Sequence, residues 1–276
     1  MILSVLLGLC AWAQAVSAED RSTPSAAEII QRSVQANQAD WAQEPQYDYF
    51  ERDRTGTHTK TYQVTMLAGS PYSRLVAVDG QPLNAEEQAA EEQKFEKAKS
   101  EREQETLGQR QKRIAAYERE RTRDQLMMDQ LVKAFQFQLL GEQKLGPYDV
   151  YVLRATPRPG YRPPNRDTQV LTGMQGMLWI DRNTCQWVKV RARVVHPVSI
   201  EGFLAKVEPG TRFELEKMPV GPGVWLPKHF AMRAKAKIVG VFNHNSQEDD
   251  TYFNYHKSTG TGSGAQESRV FAGTGH

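Results

Sequence analysis

The stretch GMLWIDRNTCQWVKVRARVV, residues 176–195, decides the fold class. Leu178 and Ile180 alternate with Met177, Trp179 and Asp181. After a polar turn, Val188, Val190, Ala192 and Val194 alternate with Lys189, Arg191 and Arg193. A period of two places the apolar side chains on one face of a hairpin and the cationic ones on the other. The apolar face of such a sheet must be covered, and what covers it is the functional question.

The same alternation extends in both directions. Upstream, QYDYFERD (46–53), TKTYQVTML (59–67) and PYSRLVAVD (71–79) read as strands, and the third ends at the turn dipeptide Asp79-Gly80. FQFQLLGEQ (135–143) and YDVYVLRAT (148–156) flank a turn at Gly146-Pro147. Downstream come VSIEGFLAKVEPG (198–210), TRFELEKMPV (211–220), a long strand over 224–243 and DTYFNYH (250–256). The proline-rich loop PRPGYRPPNRDTQ (157–169) cannot be a central strand. This makes about eleven strands. The short connections after residue 176 favour antiparallel neighbours. Strands and helices do not alternate, which excludes a parallel α/β fold.

Two segments are helical. PSAAEIIQRSVQANQADWA (24–42) carries Ser25 and Glu28 at capping-box spacing and an apolar face of Ala26, Ile29, Ile30 and Val34. From 84 to 135 acids and bases interleave densely, and Asn84 with Glu87 marks a start. Glu91–Lys94, Glu96–Lys99, Glu118–Arg121 and Glu120–Arg123 stand at i,i+3 spacing. Gly108 is the expected break into two helices. The second turns apolar at Met127, Met128, Leu131, Val132 and Phe135. This insertion reads as wet in its middle and tied to the β domain at both ends. It is a lid, a partner-binding arm or a plain solvated hairpin.

The chain ends differ from the middle. ILSVLLGL followed by Val16-Ser17-Ala18 reads as an export signal cleaved after Ala18, giving a periplasmic protein. Leu9 before Cys10 is wrong for lipidation, and removal of the signal leaves Cys185 alone, with no intramolecular disulfide. Residues 257–276, rich in Gly, Ser and Thr, read as a disordered tail. The expected organisation is a signal at 1–18, one β domain over 19–256 with the insertion at 84–135, and the tail. A formal net charge of +2 gives no general case for nucleic acid or anionic membrane.

Catalytic signatures are absent: there is no HExxH, CxxC, GxSxG or Gly-rich phosphate loop. His244, Asp249, Asp250 and His256 fit no common zinc spacing, so no metal or cofactor is expected. Arg158, Tyr161, Arg162 and Arg166 of the proline-rich loop are candidates for a polar headgroup, because Arg pairs bidentately with phosphate and carboxylate. Lys189, Arg191, Arg193, Arg233, Lys235 and Lys237 form an expected outward cationic face. Its default role is solubility, with close-range attraction of anionic headgroups as the alternative.

The chain resembles the LolA/LolB-like superfamily of periplasmic lipoprotein carriers, which includes the N-terminal domain of the RseB sensors. The resemblance covers most of residues 24–256. It rests on the export signal, the N-terminal helix, the strand count and helices inserted after the third strand. LWIDRNTCQWVKV is similar to that family's central hairpin, and FELEKMPVGPGVWLPKHF to a later one. The resemblance implies an α+β fold: an unclosed antiparallel half-barrel of about eleven strands around the N-terminal helix, holding acyl chains on its concave apolar face. The long charged insertion departs from the short lid of the carriers.

The residues independently nominate Tyr62, Met66, Phe137, Leu139, Leu178, Ile180, Phe213, Leu215, Phe230 and Met232 as lining for an apolar ligand. The leading expectation is an exported, non-enzymatic, monomeric carrier of a lipid or lipoprotein acyl chain. The alternative is an envelope sensor module that meets a protein partner through 84–124.

Overall fold

The computed structural model describes residues 23–199, 205–238 and 241–259. The expected export signal and most of the expected tail lie outside the described residues. Among the described residues the order is α1 (Ala26–Gln43), β1 (Tyr47–Thr55), β2 (His58–Leu67), β3 (Ser70–Val78), β4 (Gln81–Pro82), α2 (Ala85–Glu103), α3 (Leu107–Ala134), β5 (Phe135–Leu145) and β6 (Tyr148–Pro157). Then follow β7 (Met174–Asp181), β8 (Trp187–Val194), β9 (Val198–Ser199), β10 (Ala205–Val207), β11 (Arg212–Gly221), β12 (Val224–Ile238) and β13 (Val241–Lys257). A 3-10 helix at Asp167–Gly173 ends the proline-rich loop.

All strands join one open antiparallel sheet in the order β4-β3-β2-β1-β13-β12-β11-β8-β7-β6-β5, with β10 paired to β12 and β9 to β10. The fold is α+β, a half-barrel that does not close. Pairing of β13 with β1 brings the first and last strands together, and Phe50 stacks on Phe253 with ring centroids 5.7 Å apart.

Cross-strand register explains how one sheet acquires two characters. Leu153, Leu178, Val190, Leu215 and Phe230 stand opposite one another from β6 to β12 and form one apolar row. The row continues into Asp250 on β13 and Asp53 on β1, so the same inner face becomes acidic. Ile29 and Ile30 of α1 pack on the apolar half, together with Met127, Met128, Leu131 and Val132 of α3. Ser25 caps α1: its hydroxyl accepts from the Glu28 amide at 3.2 Å, and the Glu28 carboxylate accepts from the Ser25 amide at 2.8 Å.

The hairpin α2–α3 grips the sheet edge. Phe95 of α2 is buried against Tyr72 and Arg74, on the face opposite Glu51 and Asp53. Arg102 donates to the carbonyls of Leu67 and Ser70 at 2.8 and 2.9 Å, and Arg113 donates to Ser70 Oγ at 2.7 Å. These bonds fasten the hairpin to the β2–β3 turn. α3 then passes to the inner face, so the insertion straddles the edge of the sheet.

Three expectations need correction. The helical break falls at Gln104–Thr106, where Thr106 caps α3 with Gln109; Gly108 lies inside the first turn. A capping residue with its box decides the boundary, and a glycine in a first turn costs too little to override it. Among the described residues there are thirteen strands where about eleven are expected, because β4 is a two-residue pairing with no sequence signal and the single strand expected over 198–210 is two, β9 and β10, paired with each other. The last strand begins at Val241, well before residue 250, because β12 supplies a template for the polar run Asn243–Asp249.

Candidate ligand pocket

A pocket of about 140 Å³ lies where the C-terminal half of α1, the end of α3 and the strands β8, β11 and β12 meet. Val34, Met128, Leu215, Leu226 and Pro227 line it with the indoles of Trp41, Trp187 and Trp225. α1 contributes Val34, Asn37, Gln38 and Trp41, at i, i+3, i+4 and i+7, and Asp40 one turn after Asn37.

The polar floor of the pocket is a network centred on Asp40. Asp40 Oδ2 accepts from Lys217 Nζ at 2.7 Å, and its Oδ1 accepts from Gln186 Nε2 at 3.0 Å and the Trp225 amide at 2.9 Å. Lys217 Nζ also donates to Asn37 Oδ1 at 2.8 Å. Burial pushes the Lys217 ammonium below its usual range, against the pull of Asp40. Arg121 of α3 closes the helix end: it donates to the Trp41 carbonyl and stacks over the Trp41 ring, 4.0 Å from its centroid. A cation at a helix C-terminus meets the negative end of the helix dipole. The ring nitrogens of Trp41 and Trp187 are buried without a hydrogen-bond partner.

Beyond the pocket, the inner face of β1 and β13 carries a tyrosine cluster. Tyr49 lies 5.9 Å from Tyr252 and 5.2 Å from Tyr255, ring centroid to ring centroid. Burial raises all three phenols well above their normal range, and raises Tyr117 of α3 to about 12. Next to the tyrosines, Glu51, Asp53, Glu248 and Asp250 line a hollow of about 430 Å³ together with Tyr62 and Met232. Asp53 stands directly opposite Asp250. Burial first, then the charges of Glu248 and Glu51, push the Asp250 carboxyl up to about 7.

The predicted apolar lining is dispersed. Only Leu215 lines the pocket. Leu178 and Ile180 are buried in the core, and Phe137 and Leu139 pack against it. Phe213 and Phe230 meet edge to face at 5.2 Å. Tyr62 and Met232 border the acidic hollow, and Met66 is a half-buried residue of β2. The polar loop residues do not converge on the pocket either. Arg158 donates to the Phe135 carbonyl at 3.0 Å and Tyr161 donates to Gln130 Oε1 at 3.1 Å, so both hold the end of α3, while Arg162 and Arg166 are exposed. Sequence reasoning missed Val34, Asp40, Trp187, Lys217 and Trp225. Asp40 and Lys217 carried a usable signal: a charge on the apolar side of a helix and another on an apolar strand position. Cys185 sits at φ 59° in the β7–β8 turn, and burial raises its thiol.

No family model matches the chain, and no curated protein matches it. Among solved structures, the chain is similar to a LolA superfamily protein from Nitrosomonas europaea, at 13% identity over 85% of this chain and 94% of that one, with a TM-score of 0.31. It is also similar to a DUF1329 family protein from Desulfovibrio piger, at 10% identity over 87% and 96% of the two chains, with a TM-score of 0.29. A third is a putative outer membrane lipoprotein-sorting protein domain from Vibrio parahaemolyticus, at 10% identity over 84% and 95%, with a TM-score of 0.29. The chain stands at a distance from each of them.

Proposed function

We propose that this protein is an exported, non-enzymatic envelope protein that holds the end of one acyl chain, from a lipid or a lipoprotein, between α1, α3 and the half-barrel. The observation that carries this reading is the pocket itself. Three indoles and five apolar side chains line it; of its polar lining, Lys217 is bonded to Asn37 and Asp40 and Gln38 donates to Asp129, alongside Glu44 and Gln125. Both oxygens of Asp40 are occupied by donors, so neither serves as a free base. The volume of about 140 Å³ decides the scale of the ligand. Apolar cavities of roughly 150 Å³ accept one benzene-sized molecule, so the pocket takes a single chain end and excludes several chains together.

The sensor alternative, with a protein partner on the helical insertion, is less favoured by the geometry. α2 and α3 are fastened to the β2–β3 turn through Arg102 and Arg113, and α3 helps wall the pocket. In that arrangement the insertion serves the pocket.

The test is native mass spectrometry of protein purified from a periplasmic fraction, followed by organic extraction and lipid analysis. One bound molecule bearing an acyl chain is expected. A clean apo mass, with no uptake of added fatty acid or lipopeptide, would remove the carrier reading and leave the partner reading in its place.

A further inference from the structure

We propose that the outer face of β8, β11 and β12 docks the protein on an anionic lipid bilayer through the phosphates of its headgroups. Arg193 of β8 stands directly opposite Arg212 of β11, which stands directly opposite Arg233 of β12. All three are exposed. Like charges placed opposite each other across antiparallel strands work against folding. Elsewhere on this face the sheet neutralises its cations: Lys189 is paired with Glu214 and Glu216, and Arg191 donates to Glu214 at 2.8 Å. The arginine row has no such relief. Its flanking partners are Gln175 and Gln247, and the row contains no acid. Among the described residues the side chains of Arg193 and Arg212 have no ion pair or hydrogen-bond partner, and Arg233 donates to Gln247 Oε1 at 3.3 Å.

The row is also extended. Lys235, two residues beyond Arg233 on β12, and Lys206 of β10 are exposed. Strands lie about 4.8 Å apart, so three guanidinium groups span about 10 Å across the sheet and the lysines lengthen the patch along it. Guanidinium groups pair bidentately with phosphate oxygens and are weakly hydrated, which suits contact with headgroup phosphates. A spread array on the outside of a sheet fits a surface of many phosphates better than one small phosphorylated molecule. α1 and α3 occupy the opposite face, so docking here leaves the pocket side free. The acyl-chain reading is not needed for this inference; exposure to a membrane is.

The experiment is co-sedimentation of the purified full chain with vesicles of phosphatidylglycerol and phosphatidylcholine in equal parts, against phosphatidylcholine alone, at low salt. Selective binding to the anionic vesicles is expected, falling as salt rises. Each basic residue near an anionic surface is worth about fivefold in partitioning, so R193Q/R212Q/R233Q should lose roughly a hundredfold and Arg212→Gln alone about fivefold. Melting of the triple variant should stay level or rise, and its fatty acid uptake should match the wild type. Removing the same charge from the helical hairpin with K94Q/K97Q/K112Q should change binding less than about twofold. Equal wild-type binding to both vesicle types would overturn the proposal. So would retention of binding by the triple variant, or an equal loss in the hairpin variant. Binding to poly-glutamate but not to vesicles would overturn it in favour of an acidic protein partner.

Discussion

Lys217 Nζ lies 2.7 Å from Asp40 Oδ2, and the two side chains are 8% and 2% exposed. The pair joins the middle of β11 to the last turn of α1, 177 residues apart in sequence. A buried pair is weak as a source of stability, but removing one partner strands the other charge in the interior. Lys217→Met should therefore destabilise the protein by about 3–5 kcal/mol in urea unfolding. Adding Asp40→Asn should recover part of that loss, because the stranded charge disappears while an acceptor remains for the Trp225 amide. Equal or greater loss in the double variant would show that the charge is not the cause.

The pocket is open to a filling test. Val34 is a half-buried lining residue on α1, one turn before Gln38 and two turns before Trp41. Val34→Phe projects a ring into space that is otherwise unoccupied by side chains. Volume added to a cavity avoids the penalty of overpacking, so unfolding free energy should change by less than about 1.5 kcal/mol. Uptake of a fluorescent fatty acid should fall at least tenfold. Unchanged uptake would place the ligand elsewhere.

Much of the sheet was legible because its face pattern is written into neighbouring residues. Val188 to Val194 alternate so regularly that one hairpin fixes both the strand type and which side is wet. The same holds for the strands at 47–55, 58–67, 135–145 and 148–157. The pocket was not legible for a different reason. Its lining comes from α1, α3, β8, β11 and β12, and no local pattern tells Leu215, which borders space, from Leu178, which is buried in the core. Both sit on the inner face of the same sheet. Which apolar residue meets a void depends on where α1 and α3 come to rest, and that is set by contacts such as Arg121 on Trp41, 80 residues apart in sequence. The two-residue strand β4, the division of 198–210 into β9 and β10, and the start of β13 were hidden because pairing there follows from the neighbouring strand and not from hydrophobic alternation.

Gly173 is a packing glycine. A Cβ built on it would stand 2.4 Å from Val198 Cγ2 and 2.5 Å from the His196 carbonyl oxygen. The Gly173 carbonyl accepts from the Val195 amide at 2.8 Å, so the backbone after β8 is held against it. Gly173→Ala must displace that backbone, at a cost of about 1–3 kcal/mol. Gly176→Ala, where the nearest atom is the Arg191 carbonyl oxygen at 3.1 Å, should cost less. Thermal unfolding of the two variants side by side gives the order; the reverse order would contradict the packing argument.

Asp250 gives a pH dependence whose sign is opposite to that of most carboxylates. Its folded-state pKa is raised from 3.8 to about 7 by burial and by Glu248, Glu51 and Asp53. Between those two values the folded state holds a proton that the unfolded chain has released, so this residue's contribution to stability falls as pH rises from about 4 to about 7 and is flat above. The other shifted acid on β13, Asp249, is lowered through Arg54 and His229 and acts in the reverse sense. The difference between wild type and Asp250→Asn isolates the effect. The variant should be more stable by about 1–3 kcal/mol at pH 8, and the gap should close by pH 4. Urea unfolding at pH 4, 6 and 8 measures it. A gap that stays constant across that range would mean the Asp250 carboxyl titrates normally, and that the acidic end of the inner face is better solvated than its 5% exposure at Asp250 implies.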